Sequence, residues 1–131
     1  MIRTRARLVI AVVAAATLLL AGCAPAAHKN PVATFQVVGE TYKIELATPE
    51  LVAHARQLLA GEKVASIPLG TVVRDGGGVN APWSWHIDPA TLQFADNTIE
   101  VCDGLPSYVE DHTVTSPDYC PWSAKVIAID G

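Results

Sequence analysis

Ser84, His86 and Asp88 bring a hydroxyl, an imidazole and a carboxylate into one short stretch, the three groups of a nucleophilic triad. Their spacing excludes that chemistry. The run from Pro82 to Asp88 alternates, with Trp83, Trp85 and Ile87 on one face and Ser84, His86 and Asp88 on the other, so it reads as a strand. Neighbours on one face of a strand stand about 6.7 Å apart with nearly parallel side chains. A nucleophile and its base must meet at about 3 Å. Metal ligation strains this geometry less: His86 and Asp88, joined by Asp103 or Glu100 from a neighbouring segment, would give a small metal-assisted hydrolase. No complete ligand set is visible, so the leading reading has no catalytic residue, no metal and no cofactor. Gly76-Gly77-Gly78 is not followed by a helix and sits beside Asp75, which fits a phosphate loop poorly.

The three cysteines divide by position. Arg3, Arg5 and Arg7 precede an apolar run over residues 8–20, followed by Leu20-Ala21-Gly22-Cys23. The run falls short of the roughly 20 residues of a spanning helix and fits a signal peptide. Small residues before a cysteine give a bacterial lipoprotein signal: residues 1–22 are removed and Cys23 carries the lipid (palmitate-type chains). No Arg-Arg pair is present, which favours general secretion. Two or three acyl chains hold a protein on a bilayer where one does not. Residues 23–31, with Pro25 and Pro31, form a tether reaching about 25 Å when extended.

Cys102 and Cys120 remain. In an exported chain they suggest one disulfide, worth roughly 3 kcal/mol for the loop they close; Cys23 with either one is the competing pairing. There is no Cys-x-x-Cys, and no His stands at ligand spacing from either cysteine.

The elements that must position these groups belong to one domain, residues 32–131 of 131. Past residue 22 the chain has six Lys/Arg against thirteen Asp/Glu, a formal charge of −7, which argues against nucleic acid as a partner. Three Trp, three Tyr and two Phe argue against disorder. Residues 34–38 and 41–46 alternate around Gly39-Glu40, a hairpin. Thr48-Pro49-Glu50 opens an amphipathic helix over 48–61, with Leu51, Ala55, Leu58 and Leu59 inward, His54 and Arg56 in solvent, and Gly61 at its end. Residues 67–73 form a strand whose Pro68 points to an edge or start. Asp88-Pro89-Ala90-Thr91 is a turn. Residues 91–95 and 98–102 pair around Asp96-Asn97, and residues 125–129 close the domain. The fold class is α+β: a mostly antiparallel sheet of six or seven strands with one helix packed on it.

The run Trp83-Ser84-Trp85-His86-Ile87-Asp88-Pro89-Ala90-Thr91, then Phe94-Ala95-Asp96, then Glu100 to Glu110, and finally Tyr119-Cys120-Pro121-Trp122-Ser123, resembles a family of small exported bacterial domains. That family takes its name from the N-terminal domain of a calmodulin-binding protein. The resemblance covers roughly residues 33–129, and the paired Cys102 and Cys120 match its motif. It supplies no catalytic residues. Calmodulin is not the expected partner, because its targets are basic amphipathic helices and the helix here carries one Arg and one Glu.

The expected function is a lipid-anchored extracytoplasmic binding module, possible forms including inhibition of a secreted enzyme. Its partner would be a protein or small ligand beyond the membrane. The loop from Asp103 to Tyr119, read as irregular and braced by the disulfide, is the first candidate surface. Asp103, Tyr108 and Glu110 lie on it, and Trp83 and His86 are the further candidate binding residues. The three tryptophans serve as core or as a stacking platform, with core the expected role.

Overall fold

The computed structural model describes residues 29–131. The signal segment, Cys23 and most of the tether lie outside the described residues.

The chain opens with an antiparallel hairpin, β1 (Val32–Val37) and β2 (Glu40–Glu45). Its two-residue loop is Val38-Gly39, one position earlier than the expected Gly39-Glu40. Both pairings keep Ala33, Phe35, Val37, Tyr42 and Ile44 on the core side. The one adopted sets Phe35 directly opposite Tyr42, with ring centroids 5.4 Å apart and planes at 26°. A cross-strand aromatic pair of this kind is worth about 0.5–1 kcal/mol. The consequence falls on Val38, an exposed β-branched residue held at φ +57°, a conformation costing roughly 1–2 kcal/mol. Val38→Gly should therefore raise stability by about 1 kcal/mol and the melting temperature by several degrees. A lower melting temperature would show that Val38 is not strained.

Helix α1 (Pro49–Leu59) starts as the sequence implies: Thr48 Oγ1 accepts from the Leu51 amide at 3.2 Å and Pro49 occupies the first turn. It ends at Ala60, followed by Gly61 at φ +80°. The inward stripe is rotated from the expected one. Leu51, Val52, Ala55 and Leu58 are buried or half-buried, while Leu59 is exposed. His54, expected in solvent, stacks on Phe94 with centroids 4.5 Å apart and planes at 8°. Its Nε2 lies 2.6 Å from the Ala65 carbonyl oxygen. The helix packs mainly on the last strand, β7 (Lys125–Asp130).

The strands form two antiparallel sheets rather than one. In the first, β1 lies between β2 and β7. In the second, β3 (Ile67–Val73) pairs with β4 (His86–Ile87), β5 (Gln93–Ala95) and β6 (Asp118–Tyr119). Its residues 67–69 meet β5, 70–71 meet β6 and 72–73 meet β4. Pro68 falls near the start of β3, as its missing donor requires. A bulge where β7 meets β1 leaves Ile127 as the extra residue, exposed, and lets both Val126 and Ile129 pack on the core.

Three further expectations are corrected. Residues 98–102 form no strand. Glu100–Cys102 is a 3-10 turn, and β5 pairs with β3 instead. The bond between Cys102 and Cys120 (Cα atoms 5.0 Å apart) and the Cys120 amide on the Cys102 carbonyl at 2.7 Å draw this segment toward residues 120–122. The loop 103–119 contains a second helix, α2 (Pro106–Glu110), with Pro106 in its first turn. The strand expected over 82–88 shrinks to His86–Ile87, although burial still alternates from Trp83 to Ile87.

The core fills the space between the two sheets. Phe35 and Tyr42 from the first meet Trp85, Phe94 and Tyr119 from the second, with centroid separations of 5.3 to 6.3 Å. Trp85 is fully buried, and its indole N–H has no acceptor.

Candidate functional site

The chemistry-bearing side chains singled out from the sequence are engaged within the chain. Ser84 donates its amide and its hydroxyl to the Glu110 carboxylate, the hydroxyl at 2.9 Å. His86 Nδ1 lies 2.6 Å from the Gly76 carbonyl oxygen and 3.7 Å from Asp75. Asp88 accepts from the Ala90 amide at 3.0 Å and caps the 3-10 turn Pro89–Thr91. Asp103 accepts from the Gly104 amide at 2.9 Å and the Trp122 amide at 2.8 Å. Trp83 donates its indole N–H to the Thr41 carbonyl at 2.9 Å. Each bond ties one loop to another segment or closes a turn.

The structure thus separates the groups that the hydrolase reading would join. Among the described residues, no three His, Cys, Asp or Glu side chains are grouped to hold a metal. His86 faces the glycine loop, Asp88 its own turn and Asp103 the segment leading to Trp122. Serine and histidine have no shared hydrogen bond, because Ser84 turns to Glu110 and His86 to Gly76.

Of the five candidate binding residues, Tyr108 alone presents a large free surface. It is 42 % exposed, on α2, with its ring beside Gly104. Tyr108→Ala should cost about 1 kcal/mol or less, a shift of a few degrees in melting temperature. A shift beyond about 10 °C would make it a core plug.

A second surface was not singled out from the sequence. Ile99 is 68 % exposed, Val101 65 % and Trp122 47 %. Trp122 is built onto the 96–101 loop from both sides: its indole donates to Thr98 Oγ1 at 2.6 Å and its amide donates to Asp103. The disulfide lies behind it. Clefts flank this loop. One of about 240 Å³ runs past Leu69, Ile99 and Asp118, and one of about 220 Å³ past Ile67, Asp96 and Trp122. A larger cleft of about 450 Å³ opens between Trp122, Val126 and Leu58. The sequence signal for this surface was the isolated Ile-Glu-Val triplet next to a cysteine, which local alternation disguised as a strand.

The chain belongs to the family named for the N-terminal domain of a calmodulin-binding protein; the family's model matches residues 29–130. No curated protein and no solved structure was found to match it.

Proposed function

We propose that this chain is a non-catalytic binding module, held by lipid on Cys23 at the extracytoplasmic side of a bacterial envelope. One observation carries the reading. The side chains capable of chemistry are engaged in bonds that hold loops together, while Ile99, Val101 and Trp122 stand open on a loop braced by a disulfide. Exposed aromatic and branched side chains on a rigid frame are the anatomy of a docking surface. The arginine-led apolar segment before Cys23 supports export and anchoring.

The test expresses the full precursor in a bacterium, with a photo-crosslinking residue in place of Val101. The parent chain should fractionate with membranes at the mass of an acylated product, and Cys23→Ala should stay unprocessed or be released. Mature Cys23→Ala protein of normal mass on the membrane would remove the anchor. A crosslinked product is expected from position 101, and it should vanish on Trp122→Ser. No product from that position would remove the docking surface.

A further inference from the structure

We infer that the 96–101 loop with Trp122 docks a basic segment of a partner protein, apolar residues of that segment entering the flanking clefts and its Lys or Arg side chains meeting Asp96 and Glu100. This rests on the reading of the chain as a binding module and names the chemistry of its partner.

Charge selects the occupant. The exposed apolar residues Ile99 and Val101 alternate with Glu100, and Asp96 borders the cleft beside Trp122. Asp118 lines the cleft on the other flank. Asp96 and Glu100 are both exposed, and among the described residues neither carboxylate has a hydrogen-bond or ion-pair partner. The only ion pair among those residues is between His86 and Asp75. Carboxylates around an apolar centre repel acidic partners and favour basic ones by opposite charge. Apolar floors in both clefts, Leu69 in one and Ile67 in the other, require a segment that brings apolar side chains too.

The path of the chain places this surface away from the anchor. Residues 29–31 lead into β1 beside Asp130, the last residue of β7, since Val32 pairs with Asp130. Trp122 precedes Lys125, the first residue of β7. The six residues of that strand separate the two ends by about 17 Å. A chain held through Cys23 therefore turns Trp122 outward from the bilayer, toward a partner protein.

The test uses the full chain in neutral phosphatidylcholine nanodiscs, with empty discs as reference. The probes are three short synthetic peptides: alternating lysine and leucine, alternating lysine and serine, and alternating glutamate and leucine. Titration calorimetry should show saturable binding of the lysine–leucine peptide only, weakening about tenfold between about 50 and 200 mM salt. Asp96→Lys with Glu100→Lys should weaken it at least about tenfold, and so should Ile99→Ser with Val101→Ser. These side chains are exposed, so the variants should melt with the parent. Binding that neither pair changes, or that the glutamate–leucine peptide matches, overturns the proposal. So does self-association abolished by the same substitutions, which would make a second copy the occupant, and so does binding that the empty discs reproduce. A crosslinked partner from position 101 alongside any of these results would leave the binding module standing and remove the basic-partner chemistry alone.

Discussion

Asn80→Leu is expected to lower the stability of the domain by about 3–4 kcal/mol and its melting temperature by more than about 10 °C. Asn80 is the one buried polar side chain among the described residues, with 1 % exposure. Its Oδ1 accepts from the Lys43 amide at 2.8 Å, and its Nδ2 donates to the Trp85 carbonyl at 2.8 Å. It stands in for a strand. Along that edge of β2, Lys43 finds an acceptor in the amide and Thr41 a donor in the Trp83 indole. Leucine would fill the volume and leave two backbone groups unpaired, each costing about 1–3 kcal/mol. Asn80→Asp separates the two bonds. It keeps the acceptor for Lys43 but turns a carboxylate toward the Trp85 carbonyl, so burial and repulsion would raise its folded pKa above about 3.9. A group raised on folding contributes stability that is present at low pH and lost as pH rises through the folded value. The aspartate variant should therefore gain on the leucine variant as pH falls from about 7 to about 4. A gap that stays constant with pH would mean that the bond to Trp85 contributes nothing.

The glycine run that resembles a phosphate loop in sequence serves this asparagine. Gly76 and Gly78 take φ +131° and +55°, which favour glycine, and the turn they shape ends at Asn80. Gly77 has an ordinary φ of −76°, yet any Cβ there would overlap the Trp83 carbonyl oxygen. The run is glycine because the backbone folds tightly over itself to carry an amide into the core.

Local signals in the sequence hold where the structure is local. The limits of β3, the Thr48 cap, the closing Gly61 and the inward set of Phe35, Tyr42 and Ile44 all follow from periodicity and capping. What local pattern could not show is set by residues far apart in the chain. Residues 98–102 alternate like a strand, but the link to Cys120 and the bond from Trp122 to Asp103 bend them into a turn. His54 lies off the apolar stripe of its helix, yet Phe94 offers it a ring to stack on. Glu110 and Asp103 look like exposed binding acids because their partners, Ser84 and Trp122, are 26 and 19 residues away. The same cause moved the candidate site. With Trp85 taken up by the core and Trp83 bonded to Thr41, Trp122 is left as the open indole.

The two buried tyrosines predict how the fold ends at high pH. Burial raises the pKa of Tyr42 well above its ordinary value of 10.0, with the neighbouring Tyr119 adding to it. Burial likewise raises that of Tyr119, helped by the carboxylates of Asp103 and Glu40. Its hydroxyl donates to the Gly104 carbonyl at 2.8 Å, a bond that the phenolate could not make. In the unfolded chain both phenols release a proton near pH 10, while in the folded chain both hold it. The folded state then binds more protons, so stability is intact below about pH 10 and falls as pH rises above it. Two such groups cost about 2.7 kcal/mol per pH unit, or roughly 5 kcal/mol by about pH 12. That loss matches the whole stability of a modest domain. Denaturant melts between about pH 10 and 12 should show this slope, and Tyr119→Phe should halve it. Absorbance at the phenolate band should report ionisation of Tyr42 and Tyr119 only as the chain unfolds. Phenolate signal from all three tyrosines while the fold is intact would show that Tyr42 and Tyr119 are open to water, and with them the core between the two sheets.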